Sequence, residues 1–259
     1  MASDLRLGQK LRFVVDSLDW RELRARVGGC PLCGPTLFLK LQRDQLGTRC
    51  VRCGASPIAM GIAAVVRERF GDLSQSRVYE ASSRGPLFDF LRREARELVY
   101  SDFFDDVQPG QERGGVRCED LQALTFDDES FDLCTSTEVF EHVPDDRRGF
   151  RELHRVLRPG GQLIFTVPLS DSEETLERAL VEEGGLRHIH PPNYHDDLIR
   201  GSGKVLVFRD YGRDIVQRLR AAGFTLAEIV DAGDPSGMGH RAQVVTARKS
   251  STSPHPSCT

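Results

Sequence analysis

The sequence lacks any apolar run long enough to cross a membrane. A transmembrane helix needs about 18 or more consecutive apolar residues, and no stretch of the 259 residues reaches that length. The first residues, MASDLRLGQKLRF, also lack the apolar core and cleavage site of a secretory signal. Internal repeats are absent as well. With 39% apolar and 29% charged residues, the composition is that of a soluble globular protein, and we expect a cytoplasmic one without membrane contact.

The chain also lacks an overall excess of positive charge, since its formal net charge is −4, but its charges are unevenly distributed. Residues 1–70 hold 12 Lys and Arg against 6 Asp and Glu, whereas residues 71–259 hold 23 against 33. Two explanations of this basic first part stay open. Small zinc modules are often rich in arginine, and a basic module can also contact RNA.

The length favours one core domain with a small appendage. Residues 1–27 are predicted to form a polar amphipathic helix, with Trp20 near its end and an apolar face made of Leu11, Val14, Val15, Leu18 and Leu23. We expect a zinc-ribbon module over residues 28–57 and a linker helix over 58–76, with Gly71 as its C-cap residue. An α/β domain over 77–249 and a disordered tail over 250–259 complete the chain.

Short apolar segments alternate with helical patterns beyond residue 76, which indicates a parallel sheet covered by helices. We expect helices in most of the gaps between strands. The predicted strands are Arg77 to Ala81, Leu98 to Ser101, Val116 to Cys118, Phe131 to Thr137, Gly161 to Val167, Phe224 to Val230 and Ala242 to Ala247.

Two cysteine pairs stand sixteen residues apart: Cys30 and Cys33 in CPLC, and Cys50 and Cys53 in CVRC. Two such C-x-x-C turns supply the four sulfur ligands of a tetrahedral Zn²⁺ site. A disulfide is less consistent with a cytosolic chain, and a redox C-x-x-C needs only one pair. Four protein ligands leave no position for a substrate, so we predict a structural zinc ion.

The segments FDLCTSTEVFEHV and VLRPGGQLIFTVP, together with the surrounding residues 77–248, resemble the class I S-adenosylmethionine-dependent methyltransferases, in the branch typified by small-molecule methyltransferases. The resemblance implies a Rossmann-like sheet of seven strands with helices on both faces and an antiparallel last strand. It also implies S-adenosylmethionine as the cofactor.

Acidic residues follow the first three predicted strands: Glu80, Asp102 and Asp120. Ligands of an open parallel sheet lie at the carboxyl ends of its strands, so three such acids are expected to meet in one site. By resemblance, Asp102 would accept hydrogen bonds from the ribose hydroxyls and Asp120 one from the adenine amino group. Glu80 would lie near the methionine amine, and Leu121 and Thr137 would also contact the cofactor.

The turn after the first strand, EASSRGP, has few glycines. The family pattern has three, and their positions are occupied here by Ser82, Arg84 and Pro86, with one glycine displaced to Gly85. S-adenosylmethionine has no phosphate that demands close backbone approach, so Ser82 and Gly85 can still face the methionine part.

The segment EVFEH places Glu138, Glu141 and His142 at i, i+3 and i+4, which predicts one helical face with two carboxylates and an imidazole. It resembles the magnesium-binding motif of ubiquinone-pathway O-methyltransferases and of small-RNA 2′-O-methyltransferases. Two interpretations of this segment stay open: it forms a Mg²⁺ site, or its Glu-His pair has a purely structural role.

Three further histidines, His188, His190 and His195, occupy a long segment that is a candidate lid. One of them can be a fourth metal ligand or a general base, so His142, His190 and His195 are the candidate catalytic residues. We therefore expect a methyltransferase that modifies an oxygen or nitrogen of a small-molecule acceptor. The alternatives are an RNA methyltransferase guided by the zinc ribbon, or a scaffold without cofactor. Neither the acceptor nor the oligomeric state can be inferred.

Overall fold

The computed structural model describes residue 21 and residues 23–42, 47–196 and 203–251. Most of the predicted N-terminal helix, including Leu11, Val14, Val15, Leu18 and Trp20, lies outside these residues, as does most of the predicted disordered tail. The helix prediction is wrong for residues 24–27, because they belong to a strand. This strand pairs with the segment that follows CPLC, and the pairing uses the hydrogen-bonding groups that a helix would satisfy internally.

None of the helices in the described residues combines the length and the apolar character that a membrane crossing needs. The helices and strands have the following bounds. The strands are β1 (Arg24–Cys30), β2 (Gly34–Lys40), β3 (Thr48–Cys50), β4 (Arg77–Glu80), β5 (Glu97–Asp102), β6 (Glu112–Arg113), β7 (Val116–Cys118), β8 (Phe131–Thr137), β9 (Leu157–Thr166), β10 (Leu176–Glu177), β11 (Ala179–Glu182), β12 (Gly185–His188), β13 (Asn193–Asp196), β14 (Lys204–Val207), β15 (Arg209–Asp210), β16 (Leu226–Asp231) and β17 (Gln243–Arg248). The α-helices are α1 (Pro57–Phe70), α2 (Pro86–Glu94), α3 (Asp146–Val156) and α4 (Ile215–Ala221).

The central sheet has the strand order β16-β17-β9-β8-β4-β5-β7-β6. Strands β4, β5, β7, β8 and β9 are parallel to their neighbours among these five, and β17 is antiparallel to both β16 and β9, as predicted. The sheet has eight strands rather than seven. Gly114 and Gly115, both with positive φ, turn the chain within two residues, so that β6 pairs with β7 as an extra hairpin strand at the edge.

Helices cover both faces of the sheet, which confirms that part of the prediction. Successive residues of a strand point to opposite faces of the sheet. Val78 belongs to the core beneath α1 and α2, whereas its neighbour Tyr79 belongs to the core beneath α3 and α4. Gly61 brings the α1 backbone against the sheet, since a Cβ at this position would approach Ala242 Cβ to 2.5 Å.

The expectation of helices in most gaps is wrong for two successive connections. Residues 103–115 and 119–130 contain no α-helix, and loops from these connections therefore frame one end of the sheet. The long segment between β9 and α4 was expected to be a loop, but its described residues form three two-stranded antiparallel pairs: β10 with β15, β11 with β12, and β13 with β14. That it acts as a lid stays a prediction.

The cysteine-containing segment packs directly onto the main domain. Leu32, between two of the cysteines, and Phe38 of β2 belong to the same buried cluster as α1 and α2. Arg67 of α1 donates a hydrogen bond to the carbonyl of Pro31 (2.6 Å), and Arg93 of α2 donates one to the carbonyl of Leu32 (2.5 Å). Strands β1–β3 therefore share a core with the sheet's helices.

Candidate functional site

A cavity of about 720 Å³ lies at the carboxyl ends of the central strands, where an open parallel sheet binds its ligands. Its lining includes five residues selected from the sequence: Asp102, Asp120, Leu121, Glu138 and His142. The lining also includes residues that the sequence analysis missed, among them Phe103, Glu119, Lys204, Leu206 and Phe208. The cavity thus joins the strand ends to the β14 region of the long insertion.

Asp102, the last residue of β5, is held by the turn that follows β4. Its carboxylate accepts hydrogen bonds from the Ser83 N–H (3.3 Å) and the Ser83 hydroxyl (2.5 Å). A carboxylate offers about four lone-pair positions, so Asp102 can accept further bonds from a ligand. Phe103 follows it with a partly exposed ring that provides an apolar wall beside the acid.

Asp120 closes a tight turn after β7. Its carboxylate accepts hydrogen bonds from the backbone N–H (2.9 Å) and the side-chain amide of Gln122 (3.0 Å). The preceding Glu119 is buried and is bonded to Arg117 and Thr125 at 2.5 Å each. Both acids line the cavity, and the bonds of Glu119 also hold this loop in place.

Glu80, at the end of β4, is buried and does not line the cavity. Its carboxyl group is hydrogen-bonded to the Thr135 hydroxyl. Burial raises the pKa of Glu80 to about 8, the hydrogen bond opposes this rise, and the charge of Asp102 adds to it. Glu80 is thus a largely neutral acid near pH 7 that links β4 to β8.

The glycine-poor turn requires positive φ at only one of its residues. Gly85 has φ of 102° at the N-cap position of α2, whereas Ser82, Ser83 and Arg84 are absent from the described non-glycine residues with positive φ. Ser82, Ser83 and Arg84 therefore occupy this turn without the backbone strain that a positive φ would cause in a residue other than glycine. Ser82 is buried, and its hydroxyl donates to the carbonyl of Arg84 at 3.2 Å.

The predicted helical face of Glu138, Glu141 and His142 is wrong. Glu138 has φ of 52° and precedes the helical turn, and only Phe140–His142 form a single 3-10 turn. The turn is too short to align all three side chains as an α-helix would. Thr137, the last residue of β8, has a buried hydroxyl without a hydrogen-bond partner within the described part of the chain.

The structure instead brings His195 of β13 to Glu141 and His142. Oε1 of Glu141 lies 3.6 Å from Nε2 of His142 and 3.7 Å from Nδ1 of His195. Glu141 is only 1% exposed, and neither of its carboxylate oxygens has a hydrogen-bond partner among the described residues. Burial, together with the charge of Glu138, raises the pKa of Glu141 to about 8. These three side chains can hold a metal ion.

His142 has a defined orientation. Its Nδ1 lies 2.8 Å from the carbonyl oxygen of Leu206. Because a carbonyl oxygen only accepts, Nδ1 carries a hydrogen, and this contact fixes the orientation of the ring. His188, in contrast, lies in the exposed strand β12, and the His190 N–H donates to the carbonyl of Arg178. Neither is part of the group around Glu141.

The β4 to β9 region carries the strand-end acids and the cavity wall, and it can be compared with known families. Residues 71–165 match the family model described as a methyltransferase domain. The match begins next to α1 and ends in β9. It supports a class I methyltransferase.

Curated proteins that are similar to this chain match only part of it. A sarcosine/dimethylglycine N-methyltransferase of Halorhodospira halochloris is 36% identical over 35% of this chain and 34% of its own length. A phthiotriol/phenolphthiotriol dimycocerosates methyltransferase of Mycobacterium ulcerans is 32% identical over 45% of each chain. The chain thus spans a third to a half of the length of these relatives.

Among solved structures, the chain is similar to a Burkholderia thailandensis 1,6-didemethyltoxoflavin-N1-methyltransferase with bound S-adenosylhomocysteine. The sequence identity is 20%, the TM-score is 0.45, and the alignment covers 74% of this chain and 78% of the other.

Arg209 was not selected from the sequence, yet it holds part of the wall of the cavity at the strand ends. It is 2% exposed and donates to the carbonyls of Phe140 (3.2 Å), Val143 and Pro144 (both 2.5 Å). Its Nε also lies 3.0 Å from a carboxylate oxygen of Glu177. Arg209 therefore ties the turn that carries Glu141 and His142 to the insertion between β9 and α4.

The four paired cysteines lie together, as their spacing predicts. Sγ of Cys30 is 3.8 Å from that of Cys53, Sγ of Cys33 is 3.5 Å from that of Cys50, and all four lie within 4.8 Å of one another. A tetrahedral site with Zn–S bonds of about 2.3 Å requires S···S separations of about 3.8 Å. The thiols therefore fit a zinc ion in number, type and spacing.

Proposed function

We propose that the chain transfers a methyl group from S-adenosylmethionine to an oxygen or nitrogen of a small-molecule acceptor. One observation carries this proposal: the cavity at the strand ends is lined by Asp102 and Asp120, each an acceptor of hydrogen bonds, with Phe103 and Leu121 as apolar walls. A nucleoside presents hydroxyl and amino donors around an apolar ring, which is the chemistry that this lining complements. The methyltransferase-domain match over the same strands supports it.

The residues divide between the two ends of the cofactor. Asp102 would accept from the ribose hydroxyls, Asp120 from the adenine amino group, and Leu121 would contact the adenine. Ser82, Gly85 and Thr137 would face the methionine part, with Glu80 behind them. The unpartnered hydroxyl of Thr137 supports this assignment, because a buried hydroxyl without a partner is costly and a polar ligand can satisfy it.

S-adenosylmethionine, when bound, supplies a methyl group on a positively charged sulfur. The chain's own residues have to orient the acceptor and remove its proton. Holding the reactants in line can contribute about 7 to 11 kcal/mol in favourable cases, so a strong base is not required. We assign proton removal to His142, which lies in the cavity wall with its Nδ1 held by the carbonyl of Leu206. His195 is the second candidate, and His190 lies outside this group.

A divalent metal at this position is a second proposal. The donor set of Glu141, His142 and His195 has one carboxylate and two imidazoles, which suits zinc, manganese or iron better than Mg²⁺. A Mg²⁺ site made of Glu138, Glu141 and His142 is the weaker of the two metal-site proposals, because the 3-10 turn does not align Glu138 with the other two side chains. Equilibrium dialysis with Mn²⁺ and with Mg²⁺, comparing the parent with His195→Ala, separates the two donor sets, since only the first includes His195.

We also propose a structural Zn²⁺ on Cys30, Cys33, Cys50 and Cys53, which would hold strands β1–β3. An RNA acceptor is less consistent with the ribbon's surroundings. Several of the arginines in and beside it are already bonded to backbone carbonyls of the chain itself: Arg26 to Gly237, Arg52 to Cys33, Arg67 to Pro31 and Arg93 to Leu32. These four arginines therefore contribute to internal contacts.

The proposal is tested by label transfer. The protein is incubated with S-adenosylmethionine labelled in the methyl group and with fractionated small-molecule extracts, total RNA serving as the competing acceptor. We expect label in a small molecule, and none when Asp102→Ala/Asp120→Ala is used. Label in RNA would favour the zinc-ribbon-guided RNA methyltransferase. Absence of transfer together with absence of cofactor binding would favour the scaffold.

A further inference from the structure

The cavity at the strand ends carries more negative charge than the nucleoside of the cofactor uses. Five acids and one lysine line it: Asp102, Asp105, Glu119, Asp120, Glu138 and Lys204. Asp102 and Asp120 are assigned to the nucleoside, Glu119 is paired with Arg117 at 2.5 Å, and Asp105 is exposed to water. Glu138 is left without a role in holding the nucleoside or the loops.

The carboxyl group of Glu138 is half-buried and has no cationic partner among the described residues. Burial raises its pKa, and the nearby hydroxyl of Thr166 opposes this rise. A carboxylate that is withdrawn from water is costly unless a cation or hydrogen-bond donors compensate it. A positively charged group of a ligand would supply the partner that the described chain does not.

The backbone at Glu138 has an uncommon conformation. Its φ is 52°, and its N–H donates to the carbonyl of Thr166 at 3.0 Å. Glycine and asparagine adopt a positive φ more easily than glutamate, so the backbone does not explain a glutamate here. Glu129 is the other described non-glycine residue with positive φ, but it lies in an exposed turn and is paired with Lys249. We therefore look for the role of Glu138 in its carboxylate.

Apolar residues of the same cavity surround the turn that follows Glu138. The carbonyl of Val139 accepts a hydrogen bond from the N–H of His142 at 2.9 Å, and Leu206 contacts the His142 ring. The N–H of Phe208 donates to the carbonyl of Glu141 at 2.7 Å. Val139, Leu206 and Phe208 all line the cavity. One carboxylate beside apolar side chains complements a ligand that has a cationic group on an apolar body.

We propose that the methyl acceptor is a primary or secondary amine and that Glu138 binds its nitrogen. This inference rests on the proposed methyl transfer and specifies the acceptor of that same site. Glu138 is then a specificity-determining residue that selects nitrogen over oxygen.

The movement of charge during the reaction favours nitrogen. The acceptor's ammonium group first gives a proton to His142, and the neutral amine still donates an N–H to Glu138. The nitrogen lone pair then forms the bond to the methyl carbon while the carbon–sulfur bond breaks and its electron pair stays on sulfur. Positive charge thus passes from sulfur to nitrogen, where the carboxylate stabilises it. A hydroxyl acceptor has to lose a proton and become more negative, which the same carboxylate opposes.

A binding test compares benzylamine, which is a cation at pH 7, with benzyl alcohol of the same shape. Both are titrated by ligand-observed NMR into the zinc-loaded full chain, with and without S-adenosylhomocysteine. We expect the amine to bind about tenfold or more tightly than the alcohol, because its ammonium group pairs with a carboxylate. This preference should be lost in Glu138→Gln and kept in Glu129→Gln, the same substitution at the other positive φ.

A transfer test uses the small-molecule extract after treatment with sulfo-N-hydroxysuccinimide acetate, which acylates amines, and after mock treatment. No divalent metal is added. We expect label transfer only in the mock-treated extract. Glu138→Gln should raise the KM for the acceptor fraction about tenfold or more and leave the Kd of S-adenosylmethionine unchanged.

The proposal is overturned by equal affinities of the two probes, by a preference for the amine that survives in Glu138→Gln, or by transfer that persists after acylation. Weaker binding of S-adenosylmethionine to Glu138→Gln would assign this carboxylate to the cofactor's own positive charge instead. An effect confined to the Mg²⁺ dependence of transfer would assign it to a metal. Absence of transfer from the mock-treated extract would contradict the proposed function, and the probe titration would still decide whether Glu138 selects a cation.

Discussion

The carboxylate of Asp102 accepts hydrogen bonds from both the backbone N–H and the hydroxyl of Ser83, at 3.3 and 2.5 Å. This pair joins the end of β5 to the glycine-poor turn that precedes α2. In the family pattern the turn is built from glycines; here a serine positions the strand-end acid directly.

Asp102→Ala should weaken the binding of S-adenosylmethionine, because the ribose hydroxyls would lose their acceptor. We expect a loss of about 1 to 3 kcal/mol, or roughly 5- to 150-fold in Kd, measured by calorimetry. Asp106→Ala is the control, since this exposed acid is paired with Arg113. Equal affinities of the parent and the Asp102 variant would show that the ribose position is assigned wrongly.

Glu80 should make the stability of the fold depend on pH. Its pKa is about 8 in the folded chain against 4.5 for the ordinary group, so the folded chain binds this proton more tightly. The resulting stabilisation is complete below about pH 4.5 and is lost as the pH rises through about 8. Urea unfolding should therefore show a steeper loss of stability between pH 5.5 and 9 in the parent than in Glu80→Gln. Glu141 titrates in the same range in both proteins, so only the difference between them reports Glu80. Identical slopes would contradict the assignment.

Arg209→Met should destabilise the protein by about 3 kcal/mol, because Glu177 and three backbone carbonyls lose a buried donor. Arg209→Lys should recover only part of this, since an ammonium group cannot reach all of these acceptors as a guanidinium does. The control is Arg178→Met, whose ion pair with Asp210 is partly exposed and should contribute less than about 1 kcal/mol. Equal effects of the two methionine variants in urea unfolding would contradict the role given to Arg209.

Zinc removal should destabilise the whole protein and not β1–β3 alone. Leu32, between two ligand cysteines, packs in the same core as α1 and α2, so loss of the metal exposes their shared surface. We expect one zinc per chain by elemental analysis, and for Cys50→Ser a lower and still single unfolding transition. A zinc-free, reduced protein with the parent's stability would refute the site.

The sequence predicted those features that depend on local pattern. Paired cysteines and alternating strands such as Phe131 to Thr137 have short-range signatures, and the structure reproduces this strand with the same bounds. The extra strand β6 has only two residues and follows from the Gly114-Gly115 turn, so no periodicity could indicate it.

The candidate site was only partly predictable, because its remaining features depend on long-range contacts. His195 meets Glu141 across more than fifty residues of chain. Arg209 is buried because it meets carbonyls of a distant turn, whereas an arginine in a sequence is ordinarily expected at the surface. The Glu138 backbone adopts a positive φ, so Glu138 is not part of the helix that the segment EVFEH predicts.

Calorimetric titration of the zinc-loaded protein with S-adenosylmethionine, and with S-adenosylhomocysteine, tests the central claim most directly. We predict binding of one molecule per chain, a higher unfolding temperature in its presence, and loss of both effects in Asp102→Ala/Asp120→Ala. No heat and no shift in unfolding temperature at millimolar concentrations of either compound, in protein shown to be folded, would contradict the methyltransferase account and leave the fold as a scaffold.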